Sequence, residues 1–256
     1  MPGMKALNLL WQPLRRQPIT LAALFAIVAL SWWYLVNMAQ GMTTMDMPMP
    51  FRPWSGNDFL VMLLMWIIMM VGMMIPSALP MILLYKQVAR HNRLRHVGLG
   101  VTLFVLGYLL VWSVFSLLAT VLQWQLERLT LLSPMLVSNS VVFSATVLIL
   151  IGLYQWSPWK ESCLRWCRGP MLFITRHWQP GLSGALRMGI RHGAFCTGCC
   201  WLLMALLFVG GVMDLTVIAA VAVLVLLEKL LPGGHVFTRG TGILAILTGL
   251  ALLTYY

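Results

Sequence analysis

The chain has 256 residues, 61% of them hydrophobic and 9% charged, with a formal net charge of +11. A soluble domain carries roughly a quarter of its residues as charges, so this chain cannot cover a water-facing surface and reads as one integral membrane domain over residues 1–256, without room for a second, soluble one. Its basic residues flank apolar runs, and no basic patch with base-stacking aromatics lies outside them, so the expected partner is the lipid bilayer and not nucleic acid.

Apolar runs long enough to cross a bilayer lie at about 19–39, 58–85, 97–123, 134–155, 190–211, 215–231 and 239–256. The last two are short. The fold class expected from them is all-α: a polytopic transmembrane helical bundle of about seven spans, with six as the alternative. The first run is too long for a signal peptide and lacks a small-residue cleavage site, so it reads as a retained anchor. With the N-terminus inside, 15 of the 17 Lys and Arg residues fall on the inner side, and only Arg52 and Arg128 fall outside. That asymmetry predicts a cytoplasmic N-terminus. The segment 156–189 alternates Trp159, Trp166 and Trp178 with basic residues. It predicts a short amphipathic helix on the inner leaflet, broken by Pro170 and Pro180.

In this topology the soft donors divide by side. Met42, Met45, Met47 and Met49 crowd the first outer loop, whereas all five cysteines lie in the inner half. Thioether and thiolate select Cu(I) over hard cations. A thioether needs no deprotonation, and thiols persist where the compartment is reducing. In the second run Met62, Met65, Met69 and Met73 recur on one helix face, with Met70 and Met74 in the next row. Pro76 and Pro80 then remove two backbone donors near its inner end.

In the fifth run Cys196, Cys199 and Cys200 share one face, which His192 extends by a turn, and Cys163 and Cys167 share a face in the interfacial segment. At ~1.5 Å per residue, Met73, Cys196 and Glu228 each lie about 21–22 Å from the outer ends of their runs. Glu228 is an ionisable group in an apolar run, which calls for a partner. Lys229 points about 100° away and does not supply one from the same helix.

Each of these residues has a plainer role to set beside the metal one. Methionine fills irregular gaps in apolar cores, cysteine is a small apolar filler, and Cys163 and Cys167 stand where palmitoylation occurs. His91 and His96 lie in a basic loop and read as solvated, and Asp214 reads as the cap of the sixth helix. A Met-rich loop facing water has no packing rationale. Three cysteines within five residues, CTGCC, are likewise more than filler. No Ser/His/Asp grouping, phosphate loop or HExxH motif is present, so hydrolase and nucleotide chemistry have no support.

The blocks MWIIMMVGMMIPSALP, GLYQWSPWKESCLRWCRGP, HGAFCTGCCWLLMALLFVGGVMD and LEKLLPGG, in this order over residues 58–232, resemble a bacterial family of predicted metal-binding integral membrane proteins, a domain of unknown function some of whose members are called copper chaperones. The resemblance implies a multi-pass metal-binding protein of the bacterial inner membrane, and by motif it marks as positions of interest Met69, Met70, Met73 and Met74; Tyr154, Gln155, Lys160, Cys163 and Cys167; His192, Cys196, Cys199 and Cys200; and Glu228, of which the Met, Cys, His and Glu residues are the candidate metal ligands. Asp214 and Val217 stand where the family pattern favours Asn and Trp.

The expected function is therefore binding of a transition metal, Cu(I) first and zinc as the alternative, for handling or delivery, with a soluble or periplasmic metal carrier as a candidate partner. Two further readings remain open. One is a copper transporter using the Met65, Met69 and Met73 ladder. The other is a membrane oxidoreductase with a buried metal.

Overall fold

The computed structural model describes residues 17–43, 54–132, 138–231 and 234–255. The described residues are almost wholly helical: α1 (Pro18–Thr43), α2 (Gly56–His91), α3 (Val97–Arg128), α4 (Val141–Gln155), α5 (Pro158–Arg168), α6 (Pro170–His177), α7 (Gly181–Cys200), a 3-10 turn (Leu203–Ala205), α8 (Leu206–Gly210), α9 (Leu215–Leu230) and α10 (Gly234–Tyr255). Among them no strand forms; Leu132 and Ser138 make one isolated bridge. The all-helical class follows from the apolar runs. Met45, Met47 and Met49 of the outer loop lie outside the described residues.

Among the described residues the expected count of about seven spans is not confirmed. Four helices, α1, α2, α3 and α10, are individually long and apolar enough to cross a membrane, and the number rises to six if each of two bent pairs counts as one span. The reason is local. The run at 190–211 is not one rod: it bends by 59° after Cys200, where α7 gives way to the 3-10 turn and α8. The run at 215–231 forms α9 of 16 residues, about 24 Å at the α-helical rise and short of the ~30 Å hydrocarbon core. Asp214 caps it, its carboxylate accepting from the amides of Thr216 (2.8 Å) and Val217 (3.1 Å).

Small residues set how the helices meet. A Cβ at Gly189 would stand 2.0 Å from the carbonyl oxygen of Phe104, and one at Gly107 would stand 2.4 Å from that of Leu186. The backbones of α3 and α7 therefore touch, as small residues allow in membrane bundles. Gly152 and Gly242 zip α4 to α10 in the same way. α2 is the central element, contacting α1, α3, α6 and α9. Its buried face carries Met65, Met69, Met70, Met73 and Met74. Leu60 and Leu64 of the same helix, and Leu106, Leu110 and Val114 of α3, face outward as a lipid-facing surface must.

The segment 156–189 is structured. The chain turns by 65° between α4 and α5, where Pro158 occupies the first turn and Ser157 caps it by accepting from the amide of Trp159 (3.2 Å). Pro170 begins α6 and Pro180 immediately precedes α7, positions where a missing N–H costs nothing. α5 is not a free interfacial helix. Its face of Lys160, Cys163, Leu164 and Cys167 packs on α7, while Trp159 is exposed.

Candidate metal centre

The close α3–α7 crossing places the site. From Gly189 and Gly193, where α7 lies against α3, one further turn brings Cys196 beside Tyr108. The Tyr108 hydroxyl and the Cys196 sulfur are 3.0 Å apart, and the same hydroxyl donates to the carbonyl of Met74 on α2 (3.2 Å). From α9, the Lys229 ammonium donates to the Cys196 sulfur (2.9 Å) and to the Ser77 hydroxyl (2.9 Å), and Ser77 in turn donates to the Met74 carbonyl (2.9 Å). Four helices, α2, α3, α7 and α9, thus meet at one sulfur. All of these side chains are buried. Pro76 and Pro80 bracket the α2 turn involved and lack the N–H groups that would reach the carbonyls of Gly72 and Pro76; the Met74 carbonyl that accepts from Tyr108 and Ser77 is not one of those two.

The other cysteines gather around this point. Cys199 and Cys200 donate to the Cys196 carbonyl (3.1 and 2.9 Å). Cys167, brought by α5, has its sulfur 3.9 Å from that of Cys199. A disulfide requires about 2.05 Å, so the pair is unbonded. At 3.9 Å the two sulfurs are in S–H···S contact. Cys163 lies against Gly198, where a Cβ would come 2.9 Å from its sulfur. The Tyr154 hydroxyl donates to the Gly198 carbonyl, fixing α4 to the end of α7. Among the described residues no three His, Cys, Asp or Glu side chains close around a single point; the Cys199 and Cys200 thiols are parked on a backbone carbonyl.

His192 is buried one turn before Cys196, in an aromatic box with ring centroids of Tyr108 at 5.7 Å, Phe104 at 6.1 Å and Phe173 at 5.3 Å. Its Nδ1 has no hydrogen-bond partner. His177, on α6 outside the spanning helices, is held below the usual histidine range chiefly by burial and then by the charge of Arg191. Met69, Met70, Met73 and Met74 are all buried on α2.

Glu228 is placed differently from the cysteines. One carboxylate oxygen pairs with the Lys160 ammonium at 2.7 Å and the other accepts from the Gln155 amide at 2.7 Å. Gln155 also donates to Thr241 (2.9 Å), and Arg168 donates to the Glu228 carbonyl (2.7 Å) and to Thr238 (3.3 Å). This network ties α4, α5, α9 and α10 together. Because Lys160 and Arg168 flank Cys163 and Cys167 on α5, it also presses those two cysteines toward α7. The α9 residue that reaches the cysteines is Lys229, not Glu228.

Sequence reasoning passed over Tyr108, Ser77 and the sulfur-facing role of Lys229. The signal lay in the lysine itself: a cation in an apolar run must direct its charge somewhere, and its own helix supplied no partner.

A family model described as PpoB2, copper chaperone, matches residues 63–252, which takes in α3 through α9, nearly all of α10 and the whole of the α2 Met face that follows Met62. Neither a curated protein nor a solved structure matches the chain. The cysteine cluster, the buried methionines and the Lys229 contact all fall within the matched region, and the chain belongs to the PpoB2 copper chaperone family.

Proposed function

We propose that this protein is a multi-pass membrane copper chaperone that receives Cu(I) as cargo and holds it for hand-over at the cysteine cluster. Cys196, Cys199 and Cys167 are the principal donors, with Cys200, Cys163 and His192 in reserve around them. Soft sulfur selects Cu(I). The observation that carries the reading is the buried Lys229 ammonium at 2.9 Å from the Cys196 sulfur. Cu(I) on the three thiolates Cys167, Cys196 and Cys199 carries two negative charges, and the Lys229 ammonium cancels one of them. An apolar bundle demands such cancellation. Rotation about χ1 releases Cys199 and Cys200 from the carbonyl on which they are parked.

The asymmetry of Lys and Arg supports an inner-membrane protein with the N-terminus and the cysteines on the cytoplasmic side, where thiols stay reduced and a soluble carrier can collect the ion. The test is copper retained per purified chain after washing with a Cu(I) chelator, wild type against Cys167→Ser/Cys196→Ser/Cys199→Ser. The variant is expected to lose the retained copper; equal retention would remove the cluster from the reading.

The buried methionine face of α2 favours transport as a second reading. Copper uptake into vesicles, abolished by Met69→Leu/Met73→Leu with the cysteine cluster intact, is the result that separates it from delivery alone.

A further inference from the structure

A second polar cluster lies at the other end of the α2–α3 contact. The two helices run antiparallel, with Tyr108 level with Met74 and Gln123 level with Met62. Met62 is 12 positions before Met74 in the chain, a rise of about 18 Å at the α-helical spacing. At that far end the fully buried Gln123 accepts from the indole of Trp66 (2.7 Å) through its amide oxygen. An indole only donates, so this bond fixes which way the amide points. Its nitrogen then faces two electron-rich groups at once: the Met62 sulfur at 3.7 Å and a carboxylate oxygen of Glu127 at 2.9 Å. The second Glu127 oxygen accepts from the Trp54 indole (2.7 Å).

A thioether from α2 and a carboxylate from α3 therefore converge on a single donor position. A neutral amide is a weak occupant there; a monovalent soft cation would satisfy both groups and the carboxylate's charge. Between this point and Cys196, α3 carries two more buried hydroxyls, Ser116 and Thr120, each bonded back to its own helix (2.8 Å each).

We infer that Met62 and Glu127, with Gln123 as the gating amide, form a separate, exchangeable loading site for a monovalent soft cation, from which the α2 methionines lead to the cysteine cluster. The inference rests on the copper reading above. Mixed thioether and carboxylate ligation binds more weakly than thiolate, so an ion held there passes downhill toward sulfur.

The experiment uses the full chain in nanodiscs with Ag(I) and Cu(I) as probes, read by native mass spectrometry and by X-ray absorption at the copper edge. In a Cys167→Ser/Cys196→Ser/Cys199→Ser background, one ion is expected to remain bound, exchangeable with chelator, with a mixed sulfur and oxygen shell. Adding either Glu127→Gln or Met62→Leu is expected to weaken it by tenfold or more; Glu127→Gln keeps a side-chain acceptor for the Trp54 indole, and Met62→Leu keeps the volume. Loss of every ion in the cysteine background overturns the loading site and leaves the cluster standing. An ion that persists unchanged through both added substitutions also overturns it. A wild-type protein that retains no copper after the chelator wash, while the cysteine background still shows the exchangeable ion, overturns the cluster and spares the loading site.

Discussion

Two of the buried lysines, Lys160 and Lys229, have different surroundings. Lys160 is 1% exposed and faces a carboxylate, Glu228, which is further satisfied by Gln155. Lys229 is 7% exposed and its partners are a hydroxyl and a sulfur. A buried cation with a complete anionic partner is a structural tie. One left facing a thiol is a charge without its counter-charge, and it becomes fully compensated only when that sulfur is ionised, as a metal-bound thiolate is. On the proposed reading the first lysine holds the fold and the second serves the copper site, although Glu228, the partner of the first, is adjacent in sequence to the second.

That contrast breaks most visibly at the structural lysine. Lys160→Met leaves Glu228 buried and uncompensated, which is expected to cost about 3–5 kcal/mol and to release α5 from α9. Thermal unfolding in detergent measures it, and Lys160→Met/Glu228→Leu is expected to recover most of the loss, since two matched apolar residues replace a pair. An unaltered melting temperature for the single variant would show that the ion pair does not tie α5 down.

Lys229→Met should behave in the opposite sense. Removing a cation that lacks a carboxylate is expected to leave thermal stability equal to wild type or higher, while copper retention falls by tenfold or more. Opposite charges 2.9 Å apart interact by about 6 kcal/mol at an effective dielectric of 20, of which about 1.4 kcal/mol suffices for tenfold. Stability lost in parallel with copper would make Lys229 a second structural tie and dissolve the comparison.

Gly189→Ala probes the scaffold beneath the site. Its Cβ would meet the Phe104 carbonyl at 2.0 Å, so α3 and α7 must part, at an expected cost of ~1–3 kcal/mol or more. Because the Tyr108–Cys196 contact depends on that approach, copper retention is expected to fall with it. Retention at the wild-type level in a folded Gly189→Ala protein would separate the crossing from the site.

The smallest effect concerns His177. Its pKa is lowered in the folded protein, so the unfolded chain binds more protons, and the stability contributed is present above the ordinary histidine value of about 6.5 and declines as pH falls below it. His177→Phe is expected to flatten that acidic limb slightly in thermal scans between about pH 7 and 5.

The helical class, the burial of the α2 methionines and the capping role of Asp214 were legible because each rests on short-range pattern: apolar length, periodicity and an acceptor before a helix. The break within the fifth run was not. A break after CTGCC carries no Pro and reads as continuous apolar chain, and α9 stops at 16 residues. The partner of Glu228 was also beyond sequence, since it comes from Lys160, 68 positions earlier, through a turn at Ser157–Pro158 that redirects α5. Depth counting put Glu228 and Cys196 at one level but could not see that the next residue, 100° around α9, is the one that faces sulfur.

The claim that most depends on measurement is that sulfur from α5 and α7 grips one Cu(I) beside Lys229. Copper-edge X-ray absorption on the chelator-washed wild-type protein tests it directly. A shell of two or three sulfurs at thiolate distance, absent in Cys167→Ser/Cys196→Ser/Cys199→Ser, is the predicted result. Retained copper with the same sulfur shell in that variant would contradict it.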